Sequence, residues 1–171
     1  MPTHEPLRRY LGENKIDYSV TTHPVAFTAQ EVAQAVRVTG YELAKVVLHR
    51  EGGDIMTVLP APLLVNVEAI REFSRVSGLD LESEAAFARL FPDAEKGAMH
   101  AFGDLYGLPV WVDSSMENCG EVVFNACTHR ETITMVYDDF LRLAKPTVAS
   151  FSMTRSQGDV DEGGGGRAVD P

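Results

Sequence analysis

Lys45 heads the run Ala44-Lys-Val-Val-Leu48, in a chain whose only other lysines are Lys15, Lys96 and Lys145. Strand alternation would set Ala44, Val46 and Leu48 on one face and Lys45, Val47 and His49 on the other. An ammonium at the head of an apolar strand either snorkels to water or faces an anion in a cleft. A second candidate is the loop Gly97-Ala-Met-His-Ala-Phe-Gly103. Its glycines carry no Cβ, so backbone N–H groups there can approach a ligand closely. Such amides can stabilise the oxyanion of an acyl transfer, although a plain connection would read the same way. His23, before Pro24, is either a catalyst or a local hydrogen-bonding residue at a strand end. Cys127 and His129 could be thiol and base, but residues i and i+2 of one strand lack the in-line geometry such a pair needs. Cys127 therefore reads as a small wall residue. No GxSxG elbow, P-loop or GxGxxG occurs. Cys119 and Cys127 lie eight apart, unlike the short spacings of zinc sites. Neither a metal nor a cofactor is expected.

The elements that must position these residues follow from periodicity. Leu7, Tyr10 and Leu11 recur at helical spacing, which predicts an amphipathic helix over 5–15. Tyr18-Ser-Val-Thr-Thr22 is β-branched and alternating, a strand signal. Thr28-Ala-Gln-Glu31 is a capping box opening a helix with Val32, Ala33 and Val36 inward. The β-prone runs 44–50 and 54–60 flank Glu51-Gly-Gly-Asp54, whose paired glycines suit a tight hairpin turn. Asn66 can cap a helix that Gly78 ends near Val76, and Ser83 can cap another reaching Phe91. Val110–Asp113, Glu121–Ala126 and Thr132–Val136 read as strands, and Asp138-Asp139 opens a short helix that stops before Pro146. The fold class expected is α+β, a mixed β-sheet wrapped by helices. Residues 1–153 form one domain, and the run containing four consecutive glycines makes 154–171 a disordered tail.

Composition narrows the partners. At 171 residues and 44% apolar the chain can bury a core without staples. No apolar run approaches the roughly 20 residues that span a bilayer, and the polar start MPTHEPLRRYLGENK is no signal peptide. A cytoplasmic protein with no membrane partner is expected. The net charge is −10, from 25 Asp+Glu against 15 Lys+Arg. A long nucleic-acid groove needs a basic face, so any nucleic-acid contact must be confined to a few nucleotides at an end.

Taken in order, several segments resemble one family. They are His23 with Thr28 and Glu31; Lys45 leading Lys-Val-Val-Leu; Thr57-Val-Leu-Pro60; Gly97 through Gly103; Val110-Trp-Val-Asp113; and Val123-Phe-Asn-Ala126. Together they are similar to the YbaK/ProX aminoacyl-tRNA deacylases, also found as the editing insertion of bacterial prolyl-tRNA synthetases. The correspondence runs from about residue 5 to 150. It implies hydrolysis of the ester on a mischarged tRNA, typically tRNA for proline carrying alanine or cysteine, with no metal and no side-chain nucleophile. By the resemblance, Lys45 holds the terminal adenosine or its phosphate, and the amides at Gly97 and its neighbours receive the oxyanion. A water activated by the substrate's own ribose hydroxyl attacks. The substrate-binding set implied is His23, Thr28, Ala98, Met99, His100 and Ala101, with Phe102, Gly103, Asp113, Asn125, Ala126, Cys127 and His129. The partners implied are the acceptor end of an aminoacyl-tRNA and, optionally, a synthetase.

Two positions depart from the family pattern. Its loop reads Gly-x-x-x-Pro, and here the fifth position is Ala101; its glycine after Asn-Ala is here Cys127. These replacements suggest a reshaped amino-acid pocket, and they motivate an alternative: a non-catalytic module that docks tRNA ends or a synthetase on the same scaffold. A cysteine hydrolase using Cys127 and His129 is a third reading. Hydrolysis that survives Cys127→Ala would remove that third reading.

Overall fold

The computed structural model describes residues 4–39, 42–50, 54–74, 80–81 and 84–154, without side chains for 45–50, 80–81, 84 and 86–87. The Glu51-Gly-Gly turn, the Gly78 stop, the Ser83 cap and the tail from 155 lie outside the described residues.

Helix α1 (Glu5–Glu13) starts at a proline-bearing first turn and buries Leu7 and Leu11, one turn apart on a single face. Strand β1 (Tyr18–Thr22) leads to α2 (Ala29–Val36). Both halves of the α2 capping box form: Thr28 Oγ1 accepts the Glu31 N–H at 3.1 Å, and the Glu31 carboxylate accepts the Thr28 N–H at 3.1 Å. That carboxylate also accepts the Phe27 N–H at 2.9 Å, which ties down the residue ahead of the helix. The Thr28 amide, then that of Phe27, holds the Glu31 carboxyl below the usual range.

Strands β2 (Ala44–Arg50) and β3 (Asp54–Pro60) form the antiparallel hairpin, with Lys45 opposite Leu59. The short β4 (Leu64–Val65) follows, then α3 (Val67–Ser74), capped by Asn66 Oδ1 on the Ala69 N–H. Next come β5 (Asp80–Leu81) and α4 (Glu84–Leu90). The second half contributes β6 (Val110–Asp113), β7 (Glu121–Asn125), β8 (Glu131–Val136), α5 (Tyr137–Ala144), β9 (Thr147–Ala149) and β10 (Ser152–Met153). Two 3-10 turns, Gly103–Tyr106 and Ser114–Asn118, flank β6.

The sheets are mixed, as expected. One runs β5-β2-β3-β6-β9, with β6 parallel to both β3 and β9; a second is the antiparallel β1-β8-β7; β10 pairs with β4. A parallel bridge between Leu43 and Val123 joins the first two sheets at the start of β2. The main core lies around Phe102, whose ring meets Phe124 at 5.5 Å, Phe140 at 5.4 Å and Tyr10 at 5.5 Å. A smaller cluster (Leu59, Leu63, Ile70, Phe151) packs beneath α3, and α2 buries Val32 and Ala33 against Leu43 and Val123. Strands β4, β5, β9 and β10 went unread in the sequence because two or three residues carry no period. Among the described residues, no helix is long and apolar enough to cross a membrane.

Asp113 closes this framework. Its buried carboxylate accepts the Phe151 N–H at 2.8 Å, the Ser152 N–H at 2.9 Å and the Ser152 hydroxyl at 2.8 Å. It also accepts the Ser115 N–H at 3.1 Å and the Ser115 hydroxyl. Burial alone would raise its pKa, but these donors outweigh it and hold the carboxyl below its ordinary value. A depressed carboxylate stabilises the fold above its unfolded pKa, and that contribution is lost as pH falls through the folded one. Asp113→Asn should therefore cost about 2–3 kcal/mol at pH 7, read from urea denaturation. The difference between parent and variant should shrink below about pH 4, and a pH-independent gap would contradict the assignment.

Candidate functional site

The turn joining β7 to β8, residues 126–130, is where the candidate segments meet. From one side comes the glycine loop. Cys127 N–H donates to Ala98 O at 2.8 Å, and Glu95 N–H donates to Cys127 O at 2.9 Å. His129 N–H donates to the Glu95 carboxylate at 2.6 Å, and its Nε2 to Lys96 O at 2.8 Å. Gly97, at φ 80, sits inside this bracket in a conformation that glycine adopts freely. From the other side comes the link between β1 and α2. His23 N–H donates to Arg130 O at 2.8 Å, and Ala26 N–H donates to His129 O at 3.1 Å. Phe27, 71% exposed, lays its ring 4.8 Å from that of His129.

The third side is the start of β2. Lys45 follows Leu43 by two residues as Asn125 follows Val123, and Leu43 and Val123 are bridged in parallel. The Lys45 backbone therefore runs beside the Asn125 end of β7. Its side chain is among those not described.

Three polar atoms on one face of the β1-β8-β7 sheet have no partner among the described residues and side chains. Asn125 and Thr21 both stand opposite Thr132 in register, and His23 lies two residues beyond Thr21. Asn125 Oδ1, Thr132 Oγ1 and His23 Nε2 are each buried without a hydrogen bond. His23 Nδ1 contacts Pro24 O at 2.7 Å, so it carries the proton and leaves Nε2 as an acceptor. Unpaired buried acceptors are costly, and a ligand's N–H or O–H groups would relieve them.

The loop amides are not equally available. Ala98 N–H closes a turn onto Glu95 O at 2.9 Å, and Phe102 N–H donates to His100 Nδ1 at 3.1 Å. His100 N–H is directed at the Cys127 sulfur. Gly97 N–H has no partner among the described residues, and the same holds for the N–H groups of Met99, Ala101 and Gly103. Of these, Gly97 is the one at positive φ beside the turn.

Other residues of the sequence-derived set have structural partners in the fold. Phe102 is core, and Ala98, Met99, His100 and Ala101 are buried around it. Gly103 leaves room for the chain itself: a Cβ there would meet Val110 Cγ2 at 2.6 Å and Leu108 O at 2.8 Å. Thr28 spends its hydroxyl on the helix cap. Asp113 is engaged by β10, away from the turn. Ala126 is buried and donates its N–H to Glu131 O at 3.0 Å.

Cys127 and His129 lie in the turn and not in a strand, and their side chains have different partners. Cys127 holds φ 70, a left-handed conformation that costs a residue with a Cβ roughly 1–2 kcal/mol. That backbone requirement, more than pocket volume, explains why a glycine suits the position. Burial pushes the Cys127 thiol up to about 11, leaving it protonated at neutral pH and poorly suited to be a nucleophile. Burial likewise pushes His100 down to about 3, so it is neutral. Sequence reasoning missed Phe27; its signal was an aromatic just outside a capping box.

A family model described as an aminoacyl-tRNA editing domain matches residues 23–143. Among solved structures, a proposed trans-editing enzyme for prolyl tRNA synthetase superposes with a TM-score of 0.77 at 20% identity, covering 89% of this chain and 99% of that one. A scaffold from computational epitope grafting gives 0.76 at 22% identity, covering 89% and 99%. A hypothetical protein gives 0.79 at 14% identity, covering 87% and 100%. A search of the curated proteins finds no match.

Gly103→Ala should destabilise the fold by about 1–3 kcal/mol through overpacking, read as a lowered urea midpoint with unchanged slope. A variant as stable as the parent would show that β6 can yield, against the packing described.

Proposed function

Because this chain belongs to the aminoacyl-tRNA editing domain family, we propose that it hydrolyses the ester joining a wrong amino acid to the 3′ end of a tRNA, acting in trans. The observation that carries this reading is the convergence of Gly97, the start of β2 and the unpaired polar face on the single turn 126–130. An ester-cleaving site needs those three things: a donor for the developing oxyanion, an anchor for the nucleotide, and a pocket for the amino acid.

Each residue then has a task. Lys45 anchors the terminal nucleotide through its phosphate or ribose. Phe27 offers the terminal base a stacking surface; single-stranded ends are read by stacking and local contacts. The α-ammonium of the aminoacyl group donates to His23 Nε2 and Asn125 Oδ1, the buried acceptors left unpaired in the fold. A water activated by the free ribose hydroxyl of the substrate attacks the carbonyl carbon, its proton relayed through that hydroxyl towards the ester's ribose oxygen. The carbonyl oxygen takes up negative charge facing the Gly97 N–H. The C–O bond to the ribose then breaks, the ribose oxygen takes a proton, and the free amino acid leaves. The protonated Cys127 thiol has no part in the bond-breaking. The acidic surface, net −10, fits a reader that touches only the CCA end. A prolyl-type tRNA is the substrate class favoured by the structural neighbour, and a cytoplasmic site of action follows from the reaction.

A panel of aminoacyl-tRNAs incubated with the purified chain tests the proposal. One or more mischarged species should be deacylated. Lys45→Ala should abolish turnover while leaving the circular dichroism spectrum and melting temperature intact; full activity in that variant would discard the anchor. Phe27→Ala should raise KM at least about fivefold with kcat little changed, since stacking on one base is worth ~1–3 kcal/mol. Binding of the CCA end without turnover on any member would favour the docking-module alternative.

A further inference from the structure

His4, His100 and Cys127 are far apart in sequence, yet each brings one potential ligating atom within 4.8 Å of the others. The proposed hydrolysis uses none of these atoms. His4 is the N-cap residue of α1 and makes no side-chain cap bond. Its side chain is only 9% exposed, and neither ring nitrogen has a hydrogen-bond partner among the described residues. The Asp93 carboxylate lies 3.8 Å from Nε2. A buried imidazole with both nitrogens idle calls for an explanation.

Cys127 presents a second anomaly. It keeps a side chain at φ 70, where glycine would rest without strain. Two donors, the His100 N–H and the Tyr106 hydroxyl, are aimed at its sulfur, an arrangement suited to a thiolate.

We propose that His4, His100 and Cys127 form a binding site for a thiophilic divalent cation such as Zn2+, with the Asp93 carboxylate as fourth ligand. Two imidazoles, a thiolate and a carboxylate are the donor types that zinc takes. Tetrahedral zinc, with bonds of roughly 2.0–2.3 Å, sets its ligand atoms about 3.4–3.6 Å apart. The cluster must therefore draw in, and His4, at a helix end with no cap bond to break, can supply the movement. His100 ligates through Nδ1, giving up the Phe102 N–H contact, and keeps Nε2–H on the Tyr106 hydroxyl 3.2 Å away. A hydrogen bond on the other ring nitrogen is the usual outer-shell support of a ligating histidine. Each ion bound releases one proton, from the Cys127 thiol.

The test uses the full chain, dialysed against chelator and titrated with Zn2+ by calorimetry in two buffers of different ionisation enthalpy. One equivalent should bind with release of one proton, and the melting temperature should rise with added metal. Co2+ should give the near-ultraviolet charge-transfer band of a thiolate ligand. His4→Ala should weaken binding on the order of 100-fold without changing the melting temperature of the metal-free protein. Cys127→Gly, which suits the backbone, should abolish the band. Absence of saturable Zn2+ binding, a Co2+ spectrum without the thiolate band, or unchanged affinity in His4→Ala would each overturn the proposal. None of these readouts depends on tRNA hydrolysis.

Discussion

The two hydrogen bonds that Cys127 makes with the Glu95–Ala98 turn, one through its N–H and one through its C=O, decide where the glycine loop sits. With them, Gly97 is held against the end of β7, with its N–H free of any partner among the described residues. The geometry requires Cys127 to turn back sharply into the left-handed region. That strain is sustained because the rest of the turn is fastened independently, by His129 to Glu95 and Lys96 and by His23 and Ala26 to its carbonyls.

This arrangement separates two roles that glycine can play in one loop. Gly97 has the positive φ and an N–H with no partner among the described residues, and it faces the turn. Gly103 lacks the positive φ; it is small because β6 passes too close for a Cβ. Between them the loop is spent on the core, with Phe102 at the centre of an aromatic cluster and His100 neutral and fully buried. The loop is therefore anchored along most of its length and open at one end. An oxyanion donor benefits from that rigidity, since preorganised dipoles need not reorient as charge develops.

Much of the frame was legible in the residues. The capping box Thr28–Glu31 formed with both bonds, the hairpin of β2 and β3 paired as its flanking runs suggested, and the strands at 110–113, 121–125 and 131–136 matched their patterns closely. Local hydrogen bonding and period-2 alternation act within a few residues, so a sequence window contains all the information they need. The site was half legible. His23, Asn125 and Gly97 could be singled out by type and by resemblance, and Thr28 was legible as a cap, but that Asp113 clamps β10 was not. A carboxylate or hydroxyl looks the same in sequence whether its partner is a ligand or a backbone amide 39 residues away.

The sequence by itself determined the α+β class, the main helices and strands, the family resemblance and the net acidity of the chain. Only the tertiary structure decided which amides are free, which polar atoms are orphaned, and that His4 meets His100 and Cys127. These are properties of packing between segments separated by 27 and 123 residues from Cys127 and by 96 between the histidines. No short-range rule spans such distances: the contacts exist because the sheets and the aromatic core bring those segments together, and the energy that does so is spread over the whole fold.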